Sequence, residues 1–279
     1  MGVFSTKGDH GGRIGAGVQL VVAAGSKTVT MFQASGLVVE DKADCSPVTV
    51  VDRQVEAFLR DRVKSVYPED GFLGEEFPEK SSQNGYRWIV DPIDGTQSFI
   101  CGVPLYGTMI GLEKDGKIIA GYIYMPILGE LIFGHSGHGA YYGNNIFSAD
   151  GLEDIAWQIA RSSTTEDIRQ ARFCTTSPDY FRIDGHLSLF WRLQEVCKLT
   201  RGWGDCYAFL LLATGRVDLV VEPAIKAWDI AAAIPILMEA GCCVSSLSGG
   251  DPMRDESVVA ANPGLHRQVA HFLDQGRTK

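Results

Sequence analysis

The chain has 279 residues, 45% of them hydrophobic and 21% charged, which supplies apolar material for a large core or two packed lobes and excludes disorder as the default state. Its formal charge of −9, with no run of Lys and Arg, argues against a nucleic-acid-binding surface. An acidic chain that binds a phosphate ester needs cations between itself and that ester.

The N-terminal stretch MGVFSTKGDHGGRIGAG lacks the positive-then-apolar order of a secretory signal, and no apolar run is long enough for a membrane span, so a cytoplasmic protein is expected. MGVFST fits the loose myristoylation pattern through Gly2 and Thr6, with a flexible glycine-rich leader as the plain alternative. Seven cysteines are scattered without a C-x-x-C pair, which predicts reduced thiols and neither a zinc ribbon nor a disulfide framework.

After the leader, apolar spacing predicts a helix over residues 16–36, ending near Gly36. Val51, Val55, Phe58, Leu59, Val63 and Val66 recur at helical intervals, with Thr49 placed to cap and Pro68 to stop the helix. Asp52 falls in its first turn, where the helix dipole favours a carboxylate. RWIVD reads as a strand, and LYGTMIGLEKDGKIIAGYIYM as two strands joined at Asp115-Gly116. The embedded GLEKDGKI matches G-x-x-x-x-G-K, but Ile118 stands where a P-loop needs Ser or Thr, and no strand-then-helix context surrounds it. His135 and His138 in GHSGHGAYYG read as surface histidines in preference to a transition-metal pair. A boundary near residue 150 separates a strand-rich lobe, 1–150, from a lobe of alternating helix and strand, 151–279. Its helices include about 184–197, DCYAFLLLATG and WDIAAAIPILMEAG, the last kinked by Pro235.

The stretch WIVDPIDGT carries the chemistry. Asp91 and Asp94 are separated by Pro92 and Ile93, so their carboxylates can converge at one side of a turn, with the Ile93 carbonyl as an uncharged oxygen between them. Hard cations such as magnesium want such an oxygen set. Gly95 permits close approach of the backbone to an anion, and Thr96 adds a hydroxyl at a helix start. A plain turn rich in Asp, Pro and Gly is one alternative. A covalent aspartyl-phosphate motif, D-x-D-G-T, is another, although the extra residue shifts the first carboxylate out of that geometry. Glu75 and Glu76 in GFLGEEF, and Asp229 in AWDIAAA, stand where such a site can recruit them; taken singly they read as a solvated pair and a capping residue. Trp203, Trp228 and Phe99 can surround a substrate or fill the core.

Taken in order, SPVTVVDRQVE, GEE, DPIDGT and WDIAAAIPILMEAG resemble the inositol monophosphatase family of magnesium-dependent phosphatases. The resemblance implies an α+β fold, a layered αβαβα sandwich in which both lobes build one active site, and a homodimer acting on a small phosphate ester. It further implies Glu75, Asp91, the Ile93 carbonyl, Asp94 and Asp229 as ligands of two or three magnesium ions, and sensitivity to lithium. Gly95 and Thr96 would hold the phosphate, while Asp52 and Thr96 would orient the attacking water. DGTQSFICGVPLYGTMIGL, FCTTSPDYF and RGWGDCYAFLLLATGRVDLVVEP look most like the histidinol-phosphate phosphatase branch. Asp205 and Glu222 match the acidic positions near that substrate's amine and imidazole. Cys45 stands where many relatives have Gly, and Glu222 where this branch more often has Asp. Carboxylates suit a cationic ammonium, yet they also accept from the hydroxyls of inositol. L-histidinol phosphate is therefore the expected substrate, with myo-inositol monophosphate or other small esters as alternatives, and a non-catalytic member of the fold as the reading from another class.

Overall fold

The computed structural model describes residues 10, 12–34, 39–41, 47–148 and 150–274. Gly2, Thr6, Gly36 and Cys45 lie outside the described residues.

Seven strands stand side by side in chain order: Gly71–Gly74, Tyr86–Asp94, Gly107–Lys114, Lys117–Met125, Glu130–His135, Gly139–Gly143 and Gln158–Ile159. The first pair is parallel and the others antiparallel. The expected hairpin is present, with Asp115 (φ 49°) and Gly116 (φ 79°) both left-handed, as a tight two-residue connection requires. Alternation along the strands splits the side chains between two cores. Trp88, Val90, Leu112, Tyr122 and Phe133 face helices Arg13–Val29 and Val50–Val66. Met109, Ile123 and Ile132 face the opposite way, onto helices Asp205–Ala213, Ala227–Ala231 and Ala233–Glu239.

Those three helices also cover one face of a second sheet, of order Leu199–Arg201, Arg172–Cys174, Leu219–Glu222, Val258–Ala261, Cys243–Ser245. Its first three strands are parallel, and Val258–Ala261 is antiparallel to both its neighbours. Helices Pro178–Ile183, Leu187–Val196 and Pro263–Asp274 close its outer face around Phe173, Phe181, Leu193 and Val259. The result is the layered αβαβα sandwich. Among the described residues no helix is long and apolar enough to cross a membrane, and the six described cysteines are free thiols.

A row of glycines sets how closely the middle helices approach the first sheet. Gly111 pairs with Gly121, and Gly121 with Gly134, across three adjacent strands. A methyl group at these positions would lie 2.9 Å from Ala231 Cβ, 1.8 Å from the Ala232 carbonyl oxygen and 2.7 Å from Ile236 Cα respectively. The helical segment 227–239 thus rests on bare sheet backbone, an approach only glycine permits. Pro235 interrupts this segment as expected: it offers no N–H to Ala231, and the helix breaks at Ala232.

Two details differ from the sequence reading. The first helix runs Arg13–Val29, not 16–36: Arg13 is drawn in by two bonds to Asp70 (2.6 and 2.8 Å), and beyond Thr28 the chain turns back through Gln33 at φ 59°. The helix placed at 184–197 is present as Leu187–Val196, and Gly185 (φ 77°) reverses the chain between it and the preceding helix Pro178–Ile183. His135 is not a surface residue. As the last residue of an interior strand it is 5% exposed, its ring stacked on exposed His138 at 4.2 Å and edge-on to His10 at 5.7 Å. Phe99 is core, whereas Trp203 is 40% exposed.

Candidate metal and phosphate site

The strand Tyr86–Asp94 explains the spacing of its two aspartates. In a regular strand, residues three apart point to opposite faces. Here Asp91 pairs with Met109 and Asp94 with Gly107, so two residues on one strand oppose one on the other, a bulge that returns both carboxylates to the same face. Pro92 is tolerated in an interior strand because the bulge breaks the ladder there, and its carbonyl accepts from the Thr108 hydroxyl at 2.8 Å. Ile93 turns the other way and is wholly buried in the outer core. Its neighbours' face is the one covered by the middle helices.

Three further carboxylates reach this point from separate elements. Gly74 pairs in parallel with Val90, so Glu75 leaves the sheet level with Asp91. Asp229 sits in the first turn of Ala227–Ala231, where it also caps the helix by accepting from the Lys226 N–H at 2.7 Å. Asp52 is buried at the start of Val50–Val66, its Oδ2 accepting from the Thr49 N–H (2.8 Å) and hydroxyl (2.6 Å). Both bland readings, dipole partner and cap, therefore hold, yet both side chains also face the aspartate pair. Asp91, Asp94 and Asp229 offer oxygens within 4.8 Å of one another. Burial, then Glu75, Asp94, Asp229 and Asp52, push the Asp91 carboxyl well above its ordinary range; burial, then Asp205 and Asp229, do the same to Asp94.

A divalent cation fits this set. Asp91 Oδ1 and Asp52 Oδ1 are buried and have no hydrogen-bond partner among the described residues. Such oxygens are expensive to bury unless a cation or proton meets them. The donors are all oxygen, which suits magnesium over softer metals. Beside them Gly95 adopts φ 86° at the start of helix Thr96–Ile100, and the Thr96 hydroxyl donates to the Ile93 carbonyl at 3.0 Å.

A second acidic pair adjoins the first cluster. The parallel strands Arg172–Cys174 and Leu219–Glu222 end at the same edge, bringing Thr175 and Thr176 against Glu222. Glu222 accepts from the Thr175 hydroxyl (3.0 Å), the Thr176 N–H (2.7 Å) and the Thr176 hydroxyl (3.0 Å). Asp205 opens the helix Asp205–Ala213 in the left-handed region (φ 52°), its N–H donating to the Thr176 hydroxyl at 2.8 Å. The following N–H, of Cys206, donates to Asp94 and so links the two acidic groups. The sequence reading named neither Thr175 nor Thr176 as a holder of these carboxylates. Two hydroxyls directly after a strand were the available signal. Tyr180 was also missed: loss of surrounding water, then Asp205, Glu222, Asp94 and Asp229, raise its phenol to about 12.

Burial first, and Asp205 second, raise Glu222 from 4.5 to about 8. Between those pH values the folded chain holds a proton that the unfolded chain releases, so this group's contribution to stability falls as pH rises through the window. Glu222→Gln is therefore expected to melt several degrees higher than the wild type at pH 8, with no such advantage near pH 4.5, in thermal denaturation followed by circular dichroism.

In overall shape the chain matches the solved structure of extragenic suppressor protein suhB from Bartonella henselae, with a TM-score of 0.83 and 28% identity, covering 95% of this chain and 99% of that one. The fold, together with the curated relatives given below, defines a phosphoric monoester hydrolase of the layered-sandwich class. The profile of the inositol monophosphatase family matches residues 13–276, and the chain belongs to that family. Among curated relatives, a histidinol-phosphatase of Chlorobaculum parvum is 37% identical over 260 residues, 93% of this chain and 95% of the relative. An inositol-1-monophosphatase of Mesorhizobium japonicum is 32% identical over 255 residues, 90% of this chain and 92% of the relative.

Proposed function

We propose that the chain is a magnesium-dependent phosphatase that converts L-histidinol phosphate to L-histidinol and phosphate by direct attack of water, a step of histidine biosynthesis. The observation that carries the substrate is the second acidic pair. Asp205 and Glu222 adjoin the oxygen cluster, and a phosphate with its counter-ions leaves them to meet whatever the alcohol carries. A cationic ammonium or imidazolium offsets the buried Glu222 and half-buried Asp205 carboxylates in a way that neutral hydroxyls do not.

In this reading Glu75, Asp91, the Ile93 carbonyl, Asp94 and Asp229 would hold the ions. When bound, divalent ions lower the pKa of a water and neutralise charge on the attacking and leaving oxygens of an in-line displacement. The protein does the rest. Asp52, held by two bonds from Thr49 on one oxygen, keeps its other oxygen open to orient the attacking water and accept its hydrogen bond. The Thr96 hydroxyl, three residues from the Ile93 carbonyl to which it donates, is the second orienting group. Gly95 brings backbone close to the phosphate without a side chain in the way. Glu222 and Asp205 fix the cationic end and so set the ester in line.

The second reading is myo-inositol monophosphate: the same carboxylates accept from hydroxyls, and the Mesorhizobium relative bears that name. Two or three magnesium ions per site and a homodimer belong to the proposal on the strength of the family resemblance, and a cytoplasmic setting completes it. The experiment is phosphate release from a panel of histidinol phosphate, inositol monophosphate and an uncharged alkyl phosphate, with and without magnesium. Histidinol phosphate should have the highest kcat/KM and release should require magnesium. A preference for inositol phosphate refutes the substrate, and turnover in chelator refutes the metal chemistry.

A further inference from the structure

Glu56 is wholly buried on helix Val50–Val66, one turn beyond Asp52, and takes no part in the chemistry proposed above. A buried carboxylate is unfavourable unless every oxygen is matched by donors. Its partners all lead to one loop. Glu56 Oε2 accepts from the backbone N–H of Glu76 at 2.7 Å, and Oε1 accepts from Arg60 Nε at 2.8 Å. Arg60 in turn donates through Nη2 to the Phe77 carbonyl at 2.9 Å, with its guanidinium over the Phe72 ring at 4.6 Å. On the other side, a methyl group on Gly74 would stand 2.2 Å from Glu56 Oε1, so the loop backbone presses directly on the carboxylate. Gly74, Glu76 and Phe77 bracket Glu75.

We propose that Glu56, with Arg60 as its outer brace, is a positioning residue that clamps the Gly74–Phe77 loop and thereby aims Glu75 at the divalent-ion site. The proposal rests on the reading of Glu75 as an ion ligand. Glu56 does not touch the ion; it removes the freedom of the loop on which the ligand sits, so the entropy of ordering Glu75 is lost on folding and not on ion binding. One helix then carries both the Asp52 carboxylate and the clamp, and the two ends of the ion site move as a unit.

The test is Mn2+ binding to the purified protein, by calorimetry and by electron paramagnetic resonance, for wild type, Glu56→Gln, Arg60→Met and, as control, Glu75→Gln. Gln keeps one acceptor but loses the charge that holds Arg60; Met keeps an unbranched apolar stem and loses the guanidinium over Phe72 and the bonds to Glu56 and Phe77. Both are expected to weaken Mn2+ by about tenfold or more and to raise the half-saturating magnesium concentration in parallel. A folded Glu56→Gln or Arg60→Met protein with wild-type Mn2+ affinity overturns the clamp; if Glu56→Gln does not fold, Arg60→Met decides alone. Failure of the underlying reading looks different: wild type then binds no Mn2+, or Glu75→Gln binds it equally well.

Discussion

Replacing Asp94 with asparagine is expected to lower magnesium-dependent phosphate release by about a thousandfold or more, while the protein stays folded. Asn keeps the volume of a residue that is 8% exposed, and its carbonyl oxygen can still accept from the Cys206 N–H. What goes is one negative charge from a group of three whose oxygens lie within 4.8 Å. The same change should stabilise the ion-free protein at neutral pH. Burial and neighbouring carboxylates hold Asp94 and Asp91 well above the ordinary range, so the folded chain retains protons that the unfolded chain releases. Their contribution to stability is intact below the ordinary carboxylate range and is lost as pH climbs above it. Asp94→Asn should therefore melt higher than wild type in chelator at pH 7, with the gap closing in acid. Activity within a few-fold of wild type would sink the assignment of Asp94 to the ion site.

Replacing Asp205 with asparagine is expected to separate substrates. Losing one charge-assisted contact to a cation removes about 2 kcal/mol, so kcat/KM for histidinol phosphate should fall about thirtyfold, against less than about threefold for inositol monophosphate. Asparagine is the right probe because Asp205 sits at φ 52°, a conformation that Asn tolerates and alanine does not, and because the N–H to Thr176 is unchanged. Steady-state kinetics on both esters at saturating magnesium give the answer. Equal losses would show that Asp205 shapes the site without reading the charge of the alcohol.

Much of the arrangement was legible from local pattern. The cap at Thr49, the Asp115-Gly116 turn and the break before Pro235 follow from backbone chemistry within a few residues, and each is present. The layered sandwich and the family came from ordered motifs. What local pattern could not show was convergence. Asp91 and Asp94 share a face because the partner strand has one residue fewer between Met109 and Gly107, which is a property of pairing and not of either segment alone. Glu56 was not singled out, since nothing near it in sequence announces that Glu76 and Phe77 fold back onto it and its Arg60 partner. His135 was misjudged for the same reason: a glycine-rich neighbourhood suggested a loop, and the neighbouring strands that bury it are set by register.

The glycine row on the first sheet has a consequence for biosynthesis of the active protein. During translation, Gly111, Gly121 and Gly134 emerge well before the segment 227–239 that settles on them. Until then that sheet shows a bare, apolar face, open to chaperones or to a wrong partner, and the acidic constellation lacks its last member. With Asp229 as a proposed ion ligand, catalytic competence is deferred until nearly the whole polypeptide has been made, and a fragment that stops short of Asp229 is expected to be inert however well its first sheet has formed.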